Sequence, residues 1–178
     1  MTEGEHRSRR WQRVRGAVTR RFRIDTWTLA FFRICLGTLL LADLLFRARN
    51  LVVFYTDRGV LSIEALAELY PGYQFLSVHA LSGAIWFQIL LFLLAAIAAI
   101  AVLVGYRTRL ATALSLVMLV SLQARNPMVL NAGDPLLRRL LFWSVFLPLG
   151  ASWSVDARLT EQRWTFHESN ADPLSRTR

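Results

Sequence analysis

The stretch Trp86–Gly105 contains no charged residue. As a helix it rises about 30 Å, the thickness of the hydrocarbon core of a bilayer. Left in water, such a run would expose apolar surface along its whole length, so it demands either a deep protein core or lipid. The rest of the chain favours lipid. Hydrophobic residues make up 54% of the 178 residues and charged ones only 19%, below the roughly 25% usual for a soluble domain. That excludes an ordinary soluble enzyme and a disordered chain. A single cysteine, Cys35, excludes a disulfide-built module; within an apolar segment it reads as a buried small residue.

Hydropathy and turn residues divide the remainder into an all-α integral membrane bundle of about four transmembrane helices. Residues 1–26 read as a basic tail, 27–157 as the membrane domain and 158–178 as a polar C-terminal tail. Spans are expected at about 27–46, 84–105, 108–124 and 135–150. The first contains Arg33 and Asp43, ten positions apart and thus about 15 Å along a helix, too far to pair directly. Two readings stand for them: snorkelling to opposite headgroup layers, or a role inside the bundle. In the long first loop, Ser62 reads as the N-cap of an interfacial helix, Ile63 to Tyr70, with Ile63, Leu66, Leu69 and Tyr70 on one face. Pro71 and Gly72 stop it, and Gln74 to His79 continues as a second turn. Asp134-Pro135 reads as the N-cap and first turn of the last helix.

All 21 basic residues are arginine. A guanidinium keeps its proton at physiological pH, so no side-chain amine is available as a base or for a Schiff base. Eight arginines crowd the first 23 residues, where they suit anionic lipid headgroups; no nucleic-acid-binding motif accompanies them. With the N-terminus inside, fourteen arginines fall on the cytoplasmic side against four to six outside. The expected location is the cell membrane, multi-pass, with both termini cytoplasmic. The expected partners are the bilayer itself and either another membrane protein or a second copy of the chain.

Little in the sequence carries chemistry. His6, His79 and His167 are scattered without metal-ligand spacing, and no nucleophile elbow, HExxH motif or phosphate loop occurs. No metal or cofactor is expected. The unusual set is polar and lies on the predicted outer side: Asp57 and Arg58 in the first loop, and Arg125, Asn126, Asn131 and Asp134 in the second. These residues either line a small pocket or form turns, cap helices and pair with one another.

The chain resembles the horizontally transferred transmembrane (HTTM) domain, the membrane module shared with vitamin K-dependent gamma-carboxylases. The resemblance is carried by Phe32-Arg33-Ile34 with Gly37 and Asp43, by Phe54-Tyr55-Thr56-Asp57-Arg58-Gly59-Val60-Leu61, and by Gly105-Tyr106-Arg107-Thr108. It continues through Arg125-Asn126-Pro127 with Asn131-Ala132-Gly133-Asp134, and ends at Trp153-Ser154-Val155-Asp156. It implies a multi-pass protein whose active region is on the non-cytoplasmic face. In the carboxylases a lysine near the end of the third segment deprotonates reduced vitamin K; the register from Tyr106-Arg107 puts Arg125 there. A guanidinium cannot be that base, so carboxylase activity is not implied, although it could hold an anion or a carbonyl oxygen. The expectation is an accessory component, a shortened paralogue or a fragment, leaning away from an enzyme. The alternative is a quinone-binding, oxidoreductase-like protein using Arg125 and Asp134.

Overall fold

The computed structural model describes residues 26–150 and 153–159, all helix, turn and loop with no strand among them. The long helices are α1 (Thr26–Ala48), α4 (Ile85–Val104), α5 (Thr108–Arg125) and α6 (Gly133–Ser144). Between α1 and α4 lie two short helices, α2 (Leu51–Tyr55) and α3 (Ile63–Leu69), and two 3-10 turns, Tyr73–Leu76 and Val78–Leu81; a third 3-10 turn, Pro127–Val129, precedes α6. The N-terminal tail and residues 160–178 lie outside the described residues.

Local chemistry sets the boundaries. Ser62 Oγ accepts from the Ala65 N–H and starts α3 as expected. At the end of α4, Gly105 takes a left-handed conformation (φ 75°). Its N–H reaches Val102 O while Tyr106 N–H reaches Ala101 O, the paired bonds of a Schellman stop. A side chain at Gly105 would also collide with the Arg33 guanidinium. The last helix departs from expectation at both ends. It begins at Gly133, with Asp134 inside its first turn, and its regular part stops at Ser144 rather than at Gly150.

In sequence order, α1 packs on α4, α4 on α5 and α5 on α6. All four contribute to one apolar cluster: Leu36 and Leu40, Ala99, Leu119, Leu137 and Leu141. A second cluster, nearer the Arg125 end, joins Leu44, Tyr55, Phe92 and Leu122. At Gly37, α1 lies hard against α4: an added Cβ would sit 2.8 Å from Leu103 Cα and 2.9 Å from its N. Backbone atoms cannot yield as a side-chain tip can. Gly37→Ala is therefore expected to separate the two helices and cost about 1–3 kcal/mol, read as a lowered thermal midpoint in detergent.

Polar side chains are buried beside the apolar core, and large apolar ones cover the outside. The largest fully buried side chains include Arg33, Arg125, His79, Gln88, Gln123 and Asn126. Phe31, Leu45, Phe46, Leu93, Ile97, Phe142 and Trp143 face outward. Cys35 is exposed too, contrary to the buried position expected from its apolar surroundings. On α3, Leu66 is buried but Leu69 is exposed, so the expected single apolar face is divided.

Two helices, Trp27–Ala48 and Ile85–Val104, are long and apolar enough to cross a membrane. In each, 33% of the apolar window is buried, whereas the core helix of a soluble protein is mostly buried. At about 27 Å and 18 Å, α5 and α6 are shorter.

Candidate functional site

Of the six polar residues singled out in the two loops, Asp134 and Asn131 fall in one bonded network and Asp57, Arg125 and Asn126 in another, and residues outside that set complete both.

The first centres on Asp134, 2% exposed. Its Oδ1 is paired with Arg47 Nη2 and accepts from Gln123 Nε2 at 3.2 Å; its Oδ2 accepts from the Asn131 N–H at 2.8 Å. Arg47 also donates through Nε to Asp43 Oδ2 at 2.9 Å and through Nη1 to Tyr55 Oη at 3.2 Å. One guanidinium thus ties α1 to α2 and α6. Burial raises the pKa of the Tyr55 hydroxyl, outweighing the opposing influence of Arg47, so it stays protonated. Asp43 turns to Arg47 one turn along its own helix rather than out to the headgroups. A cavity of about 20 Å³ lies beside Asp43, lined by Ser115 and seven apolar residues, among them Leu40, Leu44, Ala99 and Leu119.

The second network centres on Arg125, which has no exposed surface. Nη1 donates to Leu61 O at 2.9 Å and Nη2 to Asp57 Oδ1 at 3.3 Å. Asn126 Nδ2 reaches Phe54 O at 2.9 Å. Together they clamp the 54–61 turn to the end of α5, and the Gly59 Cα packs directly against the Val53 carbonyl. Arg58 is exposed and stands outside this clamp, and Asn131 serves the turn into α6.

Beside it lies a third group that no sequence motif announces. His79 Nδ1 and Ser121 Oγ are 2.7 Å apart, and the same oxygen accepts from the His79 N–H. Ser77 Oγ donates to Ser121 O, and Gln88 Nε2 donates to His79 O and Ser82 O. His79 Nε2 has no partner among the described residues. Both His79 and Ser121 are 1% exposed. The pair staples the Val78–Leu81 turn to α5.

Burial, with Arg125 nearby, pushes the His79 pKa down from 6.5 to about 4. The native protein therefore holds a neutral ring, while the unfolded chain takes up a proton below 6.5. Stability from this site is complete above pH 6.5 and falls by roughly 3 kcal/mol as the pH drops to about 4. His79→Asn is expected to flatten the dependence of the melting midpoint on pH between 4 and 6.5. A slope equal to the parent's would discount His79 as the source.

At the opposite end, Arg33 is buried and donates through Nη2 to Trp153 O at 2.6 Å; its Nε and Nη1 have no partner among the described residues. It neither pairs with Asp43 nor reaches out past the bundle surface. Trp27 and Trp153 meet edge to face at 4.6 Å. Asp156 caps α5: its oxygens accept from Arg107 N and Thr108 N, both at 2.8 Å, and from Thr108 Oγ1 at 2.7 Å. Those bonds to Thr108 and Arg107 hold its pKa below the usual carboxylate value despite some burial. Tyr106 is exposed in the same turn.

Among the described residues no group of three or more His, Cys, Asp or Glu side chains could hold a metal ion. No protein-family model, curated protein or solved structure matches the chain.

Proposed function

We propose that this chain is a multi-pass cell-membrane protein resembling the HTTM domain, an accessory membrane component without carboxylase activity. In this reading α1, α4, α5 and α6 are its four spans and both termini are cytoplasmic. The observation that carries it is the apolar exterior of phenylalanine, leucine, isoleucine and tryptophan, with Arg47, Asp134, Arg125, Gln123 and His79 bonded inside beside the apolar core. Such a surface is stable in hydrocarbon and insoluble in water. Around α3, the exposed Phe75, Leu76 and Leu81 suit a loop resting in the headgroup layer. The motifs behind the resemblance act as ties and caps, and Arg125, at the position read as the family's lysine, is committed to Leu61 O and Asp57.

The chain is expected to remain in the membrane pellet after an alkaline carbonate wash. In a Cys35→Ser background, an impermeant maleimide applied to intact cells is expected to label Arg58→Cys and spare Tyr106→Cys. Release by carbonate, or the reverse labelling, would refute the reading.

The quinone-binding alternative draws support from three buried polar atoms near one another in sequence or space and without partners among the described residues: His79 Nε2, Gln88 Oε1 and Arg125 Nε. Under that reading a quinone titration quenches tryptophan fluorescence saturably; under the accessory reading it does not.

A further inference from the structure

At the Trp153 end, a groove of about 580 Å³ opens between the start of α5 and the Pro148–Gly150 segment. Arg107, Arg109 and Leu110 line one wall and Pro148 and Leu149 the other, with Asp156 between them. Arg107 and Arg109 are exposed. Among the described residues neither forms a salt bridge. The Asp156 carboxylate is turned onto the first N–H groups of α5 and the Thr108 hydroxyl, so its charge faces the helix end rather than opposing an incoming anion. The lining carries one net positive charge. The lining also offers an exposed apolar flank, with Leu110 63% exposed.

We propose that this groove binds the headgroup of one anionic glycerophospholipid, its phosphodiester between Arg107 and Arg109 and its acyl chains along Leu110. The proposal rests on the membrane reading above and deepens it. The phosphodiester's single negative charge matches the net charge of the lining. Two guanidiniums offer forked donors to its oxygens. A zwitterionic lipid brings its own cation and loses that match. The exposed apolar flank commits the site to a lipid rather than a free phosphate, which would leave Leu110 uncovered.

Native mass spectrometry of the full chain released from detergent, with phosphatidylglycerol and phosphatidylcholine in equal amounts, tests this. Delipidation in about 0.5 M salt screens looser attraction to the N-terminal arginines. One phosphatidylglycerol is expected to be retained with a preference on the order of tenfold. Arg107→Asn with Arg109→Gln is expected to abolish the preference while leaving the helical circular-dichroism signal intact; asparagine tolerates the left-handed backbone at 107 (φ 43°). Arg49→Gln with Arg58→Gln, an equal charge loss elsewhere, is expected to leave it unchanged. Equal retention of both lipids, preference surviving the 107/109 change, or displacement by millimolar inorganic phosphate would each overturn the proposal. A chain that the carbonate wash releases fails the membrane reading instead, a separate outcome.

Discussion

Asp134→Ala is expected to lower stability by about 3–5 kcal/mol, the cost of stranding a buried cation. The substitution leaves Arg47 only 8% exposed, with Asp43 and Tyr55 as its remaining partners, and removes acceptors from Gln123 and the Asn131 N–H. Asp43→Ala removes the other carboxylate from the same guanidinium, but that side chain is 23% exposed and lies one turn away, so water replaces it at a cost of about 1 kcal/mol or less. The decisive measurement is a double-mutant cycle. Arg47→Met with Asp134→Ala removes both buried charges and is expected to cost less than Asp134→Ala alone, because the Asp43 carboxylate that loses its partner is open to water. Thermal melts followed by circular dichroism in mild detergent supply the four corners. Strictly additive losses would show that Arg47 and Asp134 do not interact energetically.

The legibility of this chain follows from which energies are local. The helices α1 and α4 are written in continuous apolar runs, and the Ser62, Gly105 and Pro71-Gly72 boundaries in residues whose backbone preferences act over a few positions. Interior and exterior are harder to separate. When both are apolar, the hydrophobic pattern no longer marks the core; Cys35 reads as buried for that reason and is not. The polar networks bridge long separations: Arg47 and Asp134 are 87 positions apart and Arg125 and Asp57 are 68. Charge alone could place Asp57, Arg125 and Asp134 at one end, but it could not divide them between two guanidiniums. Arg47 read as one more outer-side arginine, and His79, Gln88, Ser121 and Gln123 had no motif to announce them. A usable signal is present in α5, where Thr112, Ser115, Ser121, Gln123 and Arg125 are all buried. In a helix bordering lipid, polar side chains in such number have to face protein.

Arg125→Ala is expected to release the 54–61 turn and destabilise the chain on the order of 4 kcal/mol, combining a side-chain-sized cavity with an unbonded Leu61 carbonyl. Proteolysis is expected to become faster within that turn before the long helices melt, since Asp57 also bonds the Ile63 N–H and helps start α3. Arg125→Lys separates charge from geometry. A single ammonium can reach Leu61 O or Asp57 but does not reproduce the fork that holds both, so an intermediate loss of roughly 1–2 kcal/mol is expected. This substitution also distinguishes the two functional readings, because lysine is the base that the resemblance to the carboxylases would place at this position. If the pocket is a structural clamp, Arg125→Lys is less stable than the parent and no more active toward a reduced quinone under oxygen. Oxygen-dependent quinol oxidation gained by Arg125→Lys and absent from Arg125→Ala would reveal a competent pocket lacking only its base, and the accessory reading would give way to the quinone one.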